Sequence, residues 1–178
     1  MNTSSVPKVG DAAPTFFDIT AYEKGTFKKI SLVDFRKKWV TLFFYPRDFT
    51  FICPTEIKEF SRLAAEFKHC KCEIIACSTD SEHSHKNWFE RDLKEVSYPV
   101  LADTTQEVSR AYNVLASNGE SQRGVFIIDP EGVLRWMLIS DKSVGRSVKE
   151  VVRVLRALQT GDLCPVEWEP GKKTLGKK

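Results

Sequence analysis

The chain has 178 residues, 42% of them apolar and 29% charged, with a formal net charge of +3. That length suits one domain with a sizeable core and is short for two. Lys172, Lys173, Lys177 and Lys178 crowd the positive charge into the chain's end, so the body is close to neutral and lacks the basic-plus-aromatic patterning of a nucleic-acid surface.

Taken in order, Met1 to Asp11 lacks the apolar core of a signal peptide, and no later run is long enough to span a membrane, so a cytosolic setting is expected. Residues 7–20 open in a turn-rich lead-in, with Phe16, Phe17 and Ile19 predicting a short edge strand. A loop or hairpin around Gly25 follows, then a single helical turn at 31–35. Val40 to Tyr45 reads as a strand buried on both faces. Apolar residues Ile57, Phe60, Leu63, Ala64 and Phe67 then recur at spacings of three and four and predict a helix from Pro54 to about His69. Glu73 to Ser78 completes a β-α-β unit. Ser81 to Leu93 predicts a helix, Tyr98 to Leu101 a strand, Thr104 to Tyr112 a helix, and Gly124 to Ile128 a third buried strand. Pro130 and Gly132 mark a reversing turn, so Val133 to Ile139 should return antiparallel. A helix from about Val144 to Leu158 closes the pattern, with Gly161 as its stop. Strands alternating with helices, ending in a hairpin and a helix, give the order of a thioredoxin-like α/β fold. We assign 1–168 to that domain and 169–178 to a short, solvated basic tail.

Chemistry concentrates where the first buried strand meets its helix. Pro54 is favoured at a first helical position, which predicts Cys53 as the N-cap. A thiol there meets the positive end of the helix dipole and free backbone N–H donors, and both favour the thiolate. Five cysteines are an odd count, unlike a secreted disulfide framework. His69, Cys70, Cys72 and Cys77 raise the question of a metal, but Cys-x-Cys is not the usual Cys-x-x-Cys zinc knuckle and Cys77 lies in a strand. Cys70 and Cys72 are read as incidental or redox-sensitive surface thiols. His83, His85 and Trp88 are read as surface and packing residues, with no carboxylate partner assigned to either histidine.

Pro46, Thr50 and Cys53 stand as Pro-x-x-x-Thr-x-x-Cys, and Phe-Thr-Phe-Ile-Cys-Pro-Thr-Glu-Ile resembles the active-site signature of the peroxiredoxins. The closest resemblance is to the typical two-cysteine branch, alkyl hydroperoxide reductase C and its relatives, and it runs from about Val6 to Trp168. It implies a peroxidase in which Cys53 attacks hydrogen peroxide or a small organic hydroperoxide, Thr50 orients the peroxide and Pro46 shields the pocket. Arg123, before a buried strand, resembles the family's active-site arginine, and Glu56 and Arg146 resemble the pair that holds it. Cys164, in Asp-Leu-Cys-Pro-Val-Glu-Trp, resembles the resolving cysteine, which comes from the other subunit of a homodimer. The resemblance further implies pairing of the strand at 133–139 between subunits, rings of dimers in many members, a thioredoxin-like or flavin-dependent dithiol donor, and no cofactor or metal.

The chain also departs from the pattern. Arg47 stands where relatives commonly carry a small or apolar residue. The segment Ala116 to Gln122 lacks Gly-Gly-Leu-Gly and the chain ends without a Tyr-Phe helix, which by resemblance implies resistance to over-oxidation. The short tail could leave Cys164 less tightly held. Two rival readings stay open. A thiol-disulfide oxidoreductase would want Cys-x-x-Cys where Thr50 and Cys53 stand. A non-enzymatic holdase or redox-signalling partner would keep its action in Cys53→Ser while peroxide consumption was absent even from the wild type.

Overall fold

The computed structural model describes residues 6–177. A hairpin comes first, β1 (Ile19–Glu23) and β2 (Thr26–Ile30), turning at Gly25 with φ +83°. A 3-10 turn (Leu32–Phe35) leads into β3 (Trp39–Phe44), α1 (Cys53–Arg62), α2 (Ala64–His69) and β4 (Cys72–Ser78). Then come α3 (Glu82–Asp92), β5 (Val100–Ala102), α4 (Glu107–Ala111), β6 (Arg123–Ile128), β7 (Leu134–Ser140) and α5 (Val148–Thr160). The seven strands form one mixed sheet in the order β2-β1-β5-β4-β3-β6-β7. Strands β3, β4 and β5 run parallel, β6 lies antiparallel beside β3, and β7 pairs antiparallel with β6 at the edge. The thioredoxin-like α/β fold expected from the element order is the one observed.

Successive residues of a strand point to opposite faces, and here both faces are covered. Leu42 and Phe44 of β3 meet Ile75, Tyr112 and Phe126 on one side. Phe43 meets Ile57, Phe60 and Leu155 on the other, with Phe43 and Phe60 stacked at 4.0 Å between ring centroids. β2 and β7 are the sheet's edges, and β7 leaves Leu138 and Ile139 exposed. Among the described residues no helix is long and apolar enough to cross a membrane.

The structure differs from the sequence expectations where tertiary contacts take over. The helix expected to run to His69 bends at Leu63, where ψ is 7°. Phe60, Leu63 and Phe67 still reach the same core, so the apolar period continues through a break that it does not reveal. The last helix starts at Val148, because the preceding Arg146 uses its backbone N–H to bind Glu56, 2.7 Å away. Its N-cap is Ser147, which accepts from the Glu150 N–H, and Gly161 ends it at φ +69°. The tail is not a free end. The Leu163 N–H donates to the Gly176 carbonyl and the Leu175 N–H to the Leu163 carbonyl, both at 2.8 Å, and Trp168 is buried, its indole N–H donating to the Lys172 carbonyl.

Truncating the stacked Phe60 to alanine leaves a cavity against Phe43. We expect Phe60→Ala to lower stability by about 3–5 kcal/mol in urea unfolding, against little change for truncation of the exposed Phe51.

Candidate active site

Cys53 is the first residue of α1, with Ile52 as N-cap and Pro54 behind it. The expected N-cap assignment is therefore one residue off. The cause is local: Ile52 already has helical φ and ψ, and its carbonyl accepts from Thr55 and Glu56. Cys53 still lies in the first turn, where free N–H groups and the dipole point, but it is 1% exposed and belongs to the core.

The sulfur's charged partner comes from the sheet. Antiparallel pairing of β6 with β3 sets Val125 opposite Phe43, which carries Arg123, at the start of β6, to the end of β3 where the loop to Cys53 begins. Arg123 is buried, and its Nη1 donates to Cys53 Sγ at 3.6 Å and to Glu56 Oε2 at 2.6 Å. Its Nε donates to the Lys142 carbonyl at 2.8 Å.

Glu56 joins three elements. Its Oε1 accepts from the backbone N–H and Nε of Arg146, and its Oε2 accepts from Arg146 Nη2 at 3.0 Å as well as from Arg123. Both lone-pair sets of the carboxylate are used. Burial works to raise the Glu56 carboxyl, but the hydrogen bonds and charge of Arg146, joined by the charge of Arg123, outweigh it and hold Glu56 below its ordinary 4.5. Arg146 also donates to the Gly124 carbonyl and lies over the Phe43 ring. Close approach explains one glycine: a Cβ on Gly124 would meet Val114 at 2.7 Å and Phe126 at 2.9 Å.

Pro46 is buried at the head of the loop. The Thr50 hydroxyl donates to the Arg47 carbonyl at 3.0 Å, closing the loop on itself. Arg47 is exposed and pairs with Glu120 at 2.8 Å. Thus Cys53, Arg123, Glu56 and Arg146 meet in space, while Thr50 completes the loop. Cys164 lies elsewhere. It follows α5, with its sulfur 3.5 Å from the Thr160 hydroxyl, in a groove walled by Trp39, Arg135, Arg153 and Leu158.

Three expectations need correction. Cys70 and Cys72 are buried instead of on the surface. Cys72 faces Thr41 Oγ1 at 3.3 Å, and burial pushes its thiol from 9.0 up to about 12. Among the described residues no group of three or more His, Cys, Asp or Glu is placed to hold a metal. The third correction is His85, which is fully buried and has a carboxylate partner in Asp48 at 2.8 Å. His83 is exposed, as expected. The available signal for His85 was its place, three and four residues before Trp88 and Phe89 on the inner face of α3.

The AhpC/TSA family profile matches residues 9–137. This chain belongs to that family, the peroxiredoxins. It is 46% identical to a thioredoxin peroxidase of Trypanosoma brucei rhodesiense over 94% of this chain and 89% of that one. It is 48% identical to a thioredoxin peroxidase of Echinococcus granulosus over 93% and 91%. The fold superposes on a reduced 2-Cys peroxiredoxin of Plasmodium vivax with a TM-score of 0.89, at 35% identity and covering 93% and 91% of the two chains. AhpC of Mycobacterium tuberculosis gives 0.85 at 37% identity, covering 93% and 100%. The chain is a peroxiredoxin, an enzyme that reduces hydroperoxides with a thiol.

The depressed Glu56 carboxyl fixes the sign of a pH effect. In acid the unfolded chain takes up this proton before the folded chain does, so the stability Glu56 supplies is complete above the ordinary 4.5. It is lost as pH falls through the lower folded value. Glu56→Gln should cost about 3 kcal/mol at neutral pH, since it leaves buried arginine charge unpaired. The gap between wild type and variant in urea titrations should close as pH is lowered past that value.

Proposed function

We propose that this peroxiredoxin reduces hydrogen peroxide and small organic hydroperoxides through Cys53, with Cys164 as the resolving thiol. The observation carrying this reading is the charge beside the sulfur. Two buried guanidinium groups share one buried carboxylate, and the one of them that touches Cys53 Sγ is Arg123. The trio carries one excess positive charge, which an anionic sulfur neutralises.

The Cys53 thiolate attacks the distal oxygen of ROOH along the O–O bond. The S–O bond forms as O–O breaks, giving Cys53 sulfenic acid, and RO⁻ leaves and takes a proton as ROH. Arg123 stabilises charge on the departing oxygen. Thr50, whose hydroxyl lies on the same loop, orients the peroxide, and Pro46 excludes water. Glu56 and Arg146 hold Arg123 in place. Because Cys53 is almost inaccessible, small peroxides are favoured over bulky ones.

Sulfenic acid and a Cys164 thiol then condense to a disulfide with loss of water. Cys164 comes from the second subunit of a homodimer in which the exposed edge of β7 pairs with its copy, and such dimers can join into rings. A thioredoxin-like or flavoprotein dithiol reduces the disulfide by exchange and is itself oxidised. No cofactor enters the cycle. The setting is the cytoplasm, and the absence of Gly-Gly-Leu-Gly from Ala116 to Gln122 favours resolution over further oxidation.

The test is non-reducing electrophoresis and intact mass of wild type, Cys53→Ser and Cys164→Ser after one equivalent of hydrogen peroxide. A covalent dimer in wild type, absent from both variants, with oxygen retained on Cys53 in Cys164→Ser, is the expected result. Equal peroxide consumption by Cys53→Ser would overturn the assignment.

Resistance is tested separately by raising peroxide during turnover. Sulfinic Cys53 should accumulate in only a small fraction of molecules per cycle, and its rapid appearance under modest peroxide would reverse that part of the reading.

A further inference from the structure

The loop between β3 and α1 carries Pro46, Thr50 and the approach to Cys53, and α3 grips it from one face. Ser84, His85, Trp88 and Arg91 recur at helical spacing. The Asp48 carboxylate, 3% exposed, accepts from the Tyr45 hydroxyl at 2.7 Å, the Ser84 hydroxyl at 2.7 Å and His85 Nδ1 at 2.8 Å. The other ring nitrogen of His85 lies 3.2 Å from the Leu101 carbonyl oxygen. Through its two ring nitrogens His85 thus bridges Asp48 on the loop and the Leu101 carbonyl of β5, tying the loop to the sheet as well as to α3. Burial and the Asp48 charge hold the Tyr45 hydroxyl well above its ordinary 10.0, which keeps it a donor.

Beside this pair the loop is held a second way. Phe49 has φ +56°, a strained value for an aromatic residue. Its ring centroid lies 5.7 Å from that of Trp88, and the Arg91 guanidinium lies 4.9 Å from it. The Asp48 N–H is also fixed, by Asp80 Oδ2 at 2.9 Å. Nothing in the attack on peroxide uses Asp48 or His85, yet both side chains are fully buried where α3 meets the loop that delivers the nucleophile.

We propose that Asp48 and His85 are positioning residues: their buried, hydrogen-bonded contact clamps the loop to α3, aims Thr50 and Cys53 at the peroxide, and sets how long oxidised Cys53 stays in the closed pocket. The second part rests on the Cys53 and Cys164 cycle proposed above. A tight clamp speeds attack, because misplacement by about 1 Å costs on the order of a hundredfold in rate. The same clamp delays release of Cys53 sulfenic acid toward Cys164. That delay leaves time for a second peroxide to transfer an oxygen to the sulfenate sulfur, giving sulfinate and the alcohol or water.

The experiment measures two quantities at neutral pH in Asp48→Asn, His85→Gln and Ser84→Ala. One is the rate of Cys53 oxidation in a single turnover, followed in the Cys164→Ser background. The other is the ratio of sulfinic acid to disulfide during cycling in the protein that retains Cys164. Asp48→Asn and His85→Gln should slow Cys53 oxidation by about tenfold or more and lower the sulfinic-to-disulfide ratio several-fold. Ser84→Ala, which removes one neutral donor, should move both in the same direction by less, and it keeps the test intact should the other two fail to fold. Unchanged rate and ratio in folded variants, with disulfide still forming in wild type, would overturn the clamp. If wild type forms no disulfide while the oxidation rate still depends on Asp48, the cycle fails and the positioning role stands.

Discussion

Glu56 is the constraint around which the site is built. A buried carboxylate is costly unless its oxygens are fully satisfied, and here four N–H donors from Arg123 and Arg146 converge on it. Those donors come from the start of β6 and the loop before α5, while Glu56 stands in the first turn of α1. Satisfying one carboxylate therefore locks three distant segments together at the sulfur. It also delays the start of α5, since the Arg146 backbone turns toward Glu56.

The sheet supplies the rest of the positioning. Cys53 lies beyond the carboxyl end of a parallel strand, where open α/β sheets place their sites. The antiparallel return of β6 brings Arg123 to that same end. The Arg123 guanidinium and the Cys53 sulfur thus meet through strand pairing across 70 residues of sequence. The helices then cover both faces, and the low exposure of the cluster strengthens every charge interaction within it.

The loop and the C-terminal segment differ in how they are held. The loop before Cys53 is anchored by the buried contact of Asp48 with His85 and by aromatic contact at Phe49. The Cys164 segment is held by backbone pairing with the tail and by Trp168, with its cysteine on the rim of a groove. One cysteine is enclosed and the other is accessible.

The sequence by itself determined the element order, and with it the fold. Buried parallel strands announce themselves as apolar runs, and helices as three-and-four spacing. It also determined the grouping of Pro46, Thr50, Cys53 and Glu56, which lie within one short stretch whose spacing is itself the signal. The meeting of Arg123 and Arg146 with that stretch was legible only through resemblance, since no local pattern ties them to Cys53. Tertiary structure alone decided that Cys70 and Cys72 are buried, that the helix bends at Leu63, that the tail folds back and that His85 is paired. Each depends on what packs opposite, and a histidine reads the same in sequence whether it faces water or, as here, an aspartate 37 residues away.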